Sequence, residues 1–192
     1  MKDGELLLVS TSTMTLLFAA LAILAAIGAV ALHAARWLPF PEARRALTEL
    51  LDGQEIQVAF VVAVVATLGS LYLSEVADFL PCRLCWYQRI AMYPLPVILG
   101  VAWWRRDAGV RRYALPLAAI GMVISTYHVL VERFPSLEGS SVCEIANPCT
   151  IRWVERFGFV TIPTMALAAF ALLTGLLVYP AGGRSIRSER LQ

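Results

Sequence analysis

Five apolar blocks, the third interrupted only by Gln88 and Arg89, constrain this chain more than any other feature. They run Met14–Ala35, Ile56–Ser74, Trp86–Trp104, Tyr113–Val131 and Phe157–Pro180. A bilayer's hydrocarbon core takes about 20 residues of helix to cross, and each block is close to that length. A membrane barrel would alternate apolar and polar residues instead. Composition agrees: 59% of the 192 residues are hydrophobic and 16% are charged, against roughly 45–50% and 25% in soluble domains. The expectation is an all-α integral membrane protein with five transmembrane helices. A disordered tail, a nucleic-acid module and a disulfide-rich secreted miniprotein are disfavoured. The alternative for the first block is a cleaved signal peptide. Its length, and a flank in which Lys2 is offset by Asp3 and Glu5, speak against that.

Arginine predicts the orientation, because short cytoplasmic loops collect basic residues. Arg36, Arg44 and Arg45 lie between the first two blocks, and Arg105, Arg106, Arg111 and Arg112 between the third and fourth. Arg184, Arg187 and Arg190 lie in the tail. Alternating spans put all of these on one side, so the N-terminus is expected outside and the C-terminus inside. These clusters are topology signals, not a nucleic-acid surface. The segment Pro41–Gly53 sets Leu47, Leu50 and Leu51 against charges, as in a short helix on the inner surface. A plain linker fits it nearly as well.

All four cysteines fall on the outer side, where disulfides persist. Cys82 and Cys85 form a CxxC just before the third block, and Cys143 and Cys149 lie in the longest outer loop. A CxxC is shared by redox dithiols and zinc sites. The five-residue gap in the second pair and the absence of histidine from that loop disfavour zinc. Two static disulfides remain compatible with the spacing. Pro81 precedes Cys82 where the third helix begins, and a thiol in a helix's first turn is expected to have a lowered pKa. Arg89 stands one turn beyond Cys85 within a span, which marks it as a functional candidate. Snorkelling to the outer interface is its bland explanation. His128 sits at a similar depth in the fourth span. Two such groups below a thiol suit the ring of a membrane quinone, whose oxygens would accept their hydrogen bonds. A structural histidine is the alternative.

Leu68-Gly-Ser-Leu-Tyr-Leu-Ser-Glu75, then Pro81-Cys-Arg-Leu-Cys-Trp-Tyr-Gln-Arg-Ile90, Tyr127-His128 and Gly158-Phe-Val-Thr-Ile-Pro163 together resemble the DsbB/BdbC family of membrane disulfide-bond formation proteins. The BdbC branch is the nearer one. The resemblance covers roughly Val58 to Val178. It implies a four-helix transmembrane bundle, to which this chain adds one N-terminal span of unknown role. The expected organisation is an N-terminal extension over 1–55, a DsbB-like core over 56–180 and a cytoplasmic tail over 181–192.

The resemblance also implies a mechanism in a bacterial cytoplasmic membrane. A soluble extracytoplasmic thioredoxin-like oxidase of the DsbA/BdbD type would reduce a Cys143–Cys149 disulfide. Exchange through a bond between Cys82 and a loop cysteine would pass the electrons on. Cys85, expected to be made a thiolate by the helix N-terminus and Arg89, would then attack menaquinone or ubiquinone, and Cys82 would resolve. Catalytic roles are expected for the four cysteines and Arg89, quinone binding for Cys85, Arg89 and His128, and no metal. The rival from another class is a membrane anchor or assembly protein stapled by two structural disulfides.

Overall fold

The computed structural model describes residues 2–37, 41–51, 53–138, 143 and 147–178. The expected tail over 181–192 lies outside them. Seven helices carry the described chain: α1 (Lys2–Trp37), α2 (Pro41–Leu51), α3 (Glu55–Glu75), α4 (Arg83–Met92), α5 (Pro94–Arg105), α6 (Arg111–Arg133) and α7 (Ile162–Val178). Two short strands, β1 (Glu155–Arg156) and β2 (Val160–Thr161), pair antiparallel before α7.

Stretches of α1, α3 and α6 are long and apolar enough to cross a membrane: Thr11–Ala35, Glu55–Glu75 and, with the short turn before α6, Ala108–Arg133. The apolar α7 is shorter. The all-α membrane architecture is therefore as expected, with two changes of boundary. The third block is not one helix. It divides into α4 and α5 at Tyr93, because Pro94 has no N–H to continue the ladder. Tyr93 keeps helical dihedrals, so the two pieces abut end to end. The fifth helix starts at Ile162 instead of Phe157, because β1 and β2 use the preceding residues. Their turn carries Phe157 and Gly158 at φ 55° and 74°, the left-handed region glycine occupies without strain.

In lipid there is no hydrophobic drive between helices, so close backbone approach does the packing. Small residues provide it. Gly121 on α6 lies under the fully buried ring of Phe170 on α7, where even an added Cβ would overlap the ring. Gly100 on α5 faces Phe60 of α3, and Phe60 stacks on Trp103 at 5.6 Å. Ala59, Ala63, Leu95, Leu99, Ala114, Ala118, Leu173 and Leu176 fill the core. Ile27, Val30, Leu68, Val97 and Val123 point outward, a face that suits lipid and not water. On α2, Leu47 and Leu51 pack on the core, whereas Leu50 is exposed. The apolar stripe expected of that segment is thus narrower by one residue. At the same end, buried Glu55 pairs with Arg111 at 3.9 Å.

The extra helix α1 is integral to the bundle. It crosses α7, where Gly28 meets Leu172 and Gly175 meets Leu32 and His33. It also touches α3 through an edge-on Phe18–Tyr72 contact at 5.7 Å.

Candidate thiol–disulfide site

Cys82 is the N-cap of α4, with extended dihedrals. A residue there faces the helix's unpaired N–H groups. Its Sγ accepts from the Cys85 N–H at 3.4 Å, and the CxxC spacing brings the Cys85 Sγ to 3.0 Å. These two are free thiols, while Cys143 and Cys149 form a disulfide. Both pairs pack into one apolar cluster with Leu84 and Val131.

Helix α6 turns Ser125, His128 and Glu132 to its buried face. His128 Nε2 lies 3.6 Å from Cys82 Sγ and 3.1 Å from the Cys149 carbonyl. Its Nδ1 is 3.1 Å from Gln88 Nε2. With that amide nitrogen donating, Nδ1 accepts and the ring proton sits on Nε2, facing the sulfur and the carbonyl. The disulfide loop has two further ties. Cys149 donates its N–H to Glu138 at 2.8 Å, and Asn147 donates to the Pro81 carbonyl at 3.2 Å.

Arg89 lies one turn deeper and is buried. It donates to the Ser70 carbonyl at 3.1 Å and rests over the Trp86 ring at 5.1 Å. Together with Cys85 it lines an apolar cavity of about 410 Å³ bounded by α1, α3, α4 and α7, a size typical of small-molecule sites. Neither Cys82 nor His128 lines that cavity. They face a second, small one of about 20 Å³, which Cys85 and Glu132 also border. Cys85 alone among the described cysteines touches both spaces. The sequence put His128 level with Arg89. The structure turns it instead toward Cys82 and the loop disulfide.

Both CxxC thiols precede the third apolar block. In the dithiol the proton is retained by Cys85, whose hydrogen bond to the Cys82 sulfur is the largest cause of its raised pKa. That same bond, then His128 and the Cys85 N–H, outweigh burial and hold Cys82 down to about 4. The sequence led to the expectation that the helix start and Arg89 make Cys85 the thiolate; the lowering falls instead on the capping Cys82, and Cys85 is raised. The lowered Cys82 predicts a pH profile. With Cys143 and Cys149 replaced by alanine, thiolate absorbance of the reduced protein should titrate with a midpoint near pH 4, far below an ordinary thiol's ~8.5. Full absorbance should persist above about pH 6. A midpoint above 7 would refute the arrangement.

Sequence reasoning passed over Glu132 and Glu138. Glu132 stands one turn after His128 on the same face. It accepts from the Thr161 hydroxyl at 2.6 Å, while its backbone carbonyl accepts from Arg152 at 2.9 Å. The four-residue step from a singled-out histidine was the available signal. Cys82, Cys85 and His128 also bring three possible metal-ligand atoms within 4.8 Å of one another.

Two cysteine pairs, one free and one bonded, packed at one end of a helical membrane bundle, define a membrane thiol–disulfide protein. The family model for disulfide bond formation protein DsbB matches residues 55–180, and the chain belongs to that family. Among relatives, "Disulfide bond formation protein C" of Bacillus subtilis (strain 168) is 45% identical over 130 residues, covering 68% of this chain and 94% of that protein. "Probable disulfide formation protein" of Coxiella burnetii (strain Dugway 5J108-111) is 40% identical over 134 residues, covering 69% and 90%. "Probable disulfide formation protein C 2" of Bacillus anthracis is 42% identical over 122 residues, covering 64% and 86%. No solved structure matches the chain.

Proposed function

We propose that this protein reoxidises a soluble, extracytoplasmic thioredoxin-like oxidase and passes the electrons to a membrane quinone, thereby sustaining disulfide formation in exported proteins. The observation that carries this reading is the position of Cys85. It shares an apolar, membrane-depth cavity with the buried cation Arg89 and lies 3.0 Å from Cys82, which packs against the Cys143–Cys149 disulfide. The arginine distribution supports an orientation with cysteines and N-terminus outside and the C-terminus inside, and the bacterial relatives support a bacterial cytoplasmic membrane. Residues 56–180 act as the catalytic core in this reading, with 1–55 an added element and 181–192 a cytoplasmic tail.

The chemistry balances as two-electron exchange. A thiolate of the reduced partner attacks the Cys143–Cys149 bond, forming a mixed disulfide and freeing one loop thiolate. The partner's second thiol resolves it, leaving with its own disulfide and a reduced loop pair. A loop thiolate then attacks Cys82 in the Cys82–Cys85 disulfide, and Cys85 leaves as thiolate. Cys85 gives its electron pair to the quinone, and the second loop thiol attacks the Cys82–loop bond, restoring the loop disulfide and freeing Cys82 as a thiolate. Cys82 then bonds Cys85, re-forming the CxxC disulfide as the quinone leaves as quinol with two protons. Arg89 offers N–H donors where negative charge develops on a quinone oxygen. His128, between Cys82 and the Cys149 carbonyl, points its Nε2–H at both and orients the sulfurs for exchange.

The test follows both substrates. Full-length protein in bilayer discs receives a reduced thioredoxin-like dithiol protein and a short-chain quinone. One quinol should form per partner disulfide, and thiol trapping should find the CxxC reduced without quinone and oxidised with it. If both pairs stay unchanged under either condition, the reading falls and the static-staple alternative stands. Stoichiometric zinc with chelator-sensitive folding would also overturn it, in favour of a metal site.

A further inference from the structure

The α1 helix lies outside the family-matched residues 55–180, yet it supplies one wall of the large cavity. Phe18, Leu21, Ala22, Leu24 and Ala25 form its α1 wall, opposite residues of α3, α4 and α7. The polar side chains on the cavity, Ser70, Gln88, Arg89 and Tyr93, all come from α3 and α4 or the residue that ends α4. They gather near Cys85: Arg89 bonds the Ser70 backbone, and the Ser70 hydroxyl is 3.4 Å from that of Tyr93. From α1 the lining is entirely apolar. The cavity also runs far along the bundle, from Val61 to Leu73 on α3, a rise of about 18 Å. That exceeds what one ring needs. A slot with a polar, thiol-bearing end and an apolar extension matches a ring that carries a hydrocarbon tail.

This wall is fixed in place. Arg156 of β1 donates to the Thr15 hydroxyl at 2.8 Å and to the Ser12 hydroxyl at 2.9 Å. The start of the α1 span is thereby tied to the strand pair that follows the disulfide loop. Farther along, Gly28 against Leu172 and Gly175 against Leu32 bring α1 and α7 close.

We infer that α1 is the tail-binding wall of the quinone site, and that it sets this protein's affinity for isoprenoid quinones over tail-less ones. The inference rests on the quinone reading above. Ala22 and Ala25 are the small residues that leave room on this wall, and a large side chain there fills the slot while leaving Cys85 and Arg89 untouched.

The experiment uses full-length protein in bilayer discs and two probes: a quinone with a photoreactive group on its isoprenoid chain, and a tail-less quinone of the same ring. In Ala22→Trp, KM for the isoprenoid quinone should rise about tenfold or more, while KM for the tail-less quinone should move less than about threefold. Thiol exchange with the reduced partner should be unchanged. Ile27→Trp, on the exposed face of α1, should match the unsubstituted protein. Photolabelling of the unsubstituted protein, which needs no variant to fold, should mark α1 peptides and be displaced by excess unlabelled quinone. Labelling confined to α3, α4 or α7, or equal KM effects on both probes, would overturn the role of α1 and leave the quinone reading intact. Absence of both displaceable labelling and quinone reduction by the unsubstituted protein would overturn the two together.

Discussion

Cys85→Ala is expected to abolish quinone reduction, lowering the rate by about 10³-fold or more, while the reduced partner still opens the Cys143–Cys149 disulfide. The asymmetry comes from geometry. Cys85 borders the large cavity and Cys82 does not, so removing Cys85 leaves no described thiol in contact with the proposed quinone cavity. Timing points the same way. In the dithiol the proton stays on Cys85, chiefly because it is hydrogen-bonded to the Cys82 sulfur. Once Cys82 is bonded to a loop cysteine, that cause and the Cys82 charge both vanish. Burial is then opposed by the backbone N–H side of the CxxC turn and by Arg89. Two of the causes that keep the proton on Cys85 are thus removed at the stage when an electron pair is due to move inward. In the alanine variant, trapping should reveal Cys82 bonded to a loop cysteine, since its thiolate has no CxxC partner left. Quinol formation above about a tenth of the normal rate would remove Cys85 from its assigned role.

The features that were legible in the sequence are those that depend on length, sign of charge and spacing. Apolar blocks announce spans because a bilayer sets their length, and a CxxC after Pro81 announces a helix-start dithiol because the first turn fixes where its sulfurs go. Direction around a helix axis is harder to read. His128 and Arg89 stand at comparable depths, but depth does not say which neighbour a side chain faces. Gln88, inward-facing in α4, takes the histidine's Nδ1 and turns its Nε2 toward Cys82. Hydropathy also could not divide the third span, since Pro94 is as apolar as its neighbours and differs in its missing N–H. The hairpin before α7 is disguised for the opposite reason: Phe157, Phe159 and Val160 are apolar enough to read as helix, and only Gly158 signals a turn. The part α1 plays was the least accessible, because a cavity wall is a property of four helices together.

Arg89 supplies the second large effect, and here the choice of readout decides between function and architecture. A buried arginine in a span costs about 3 kcal/mol on insertion scales. Arg89 recovers part of this through Ser70 and Trp86, and among the described residues it has no carboxylate partner. Its charge therefore remains available to the cavity. Arg89→Ala should slow quinone reduction by about 10²-fold, the usual consequence of losing one charge-stabilising donor. Exchange between the cysteine pairs, measured without quinone, should change less than about threefold, because His128, Glu138 and Asn147 hold that part of the site from α6 and the loop. Arg89→Lys should restore only part of the rate: the charge returns, but not the planar set of donors that bonds Ser70 and still faces the cavity. A purely structural arginine predicts something else. Loss of its Ser70 bond would loosen α3 from α4, and both reactions would fall together with thermal stability. Equal losses in quinone reduction and cysteine exchange, recovered equally by lysine, would assign Arg89 to packing and leave Cys85 as the sole reactive group at the cavity.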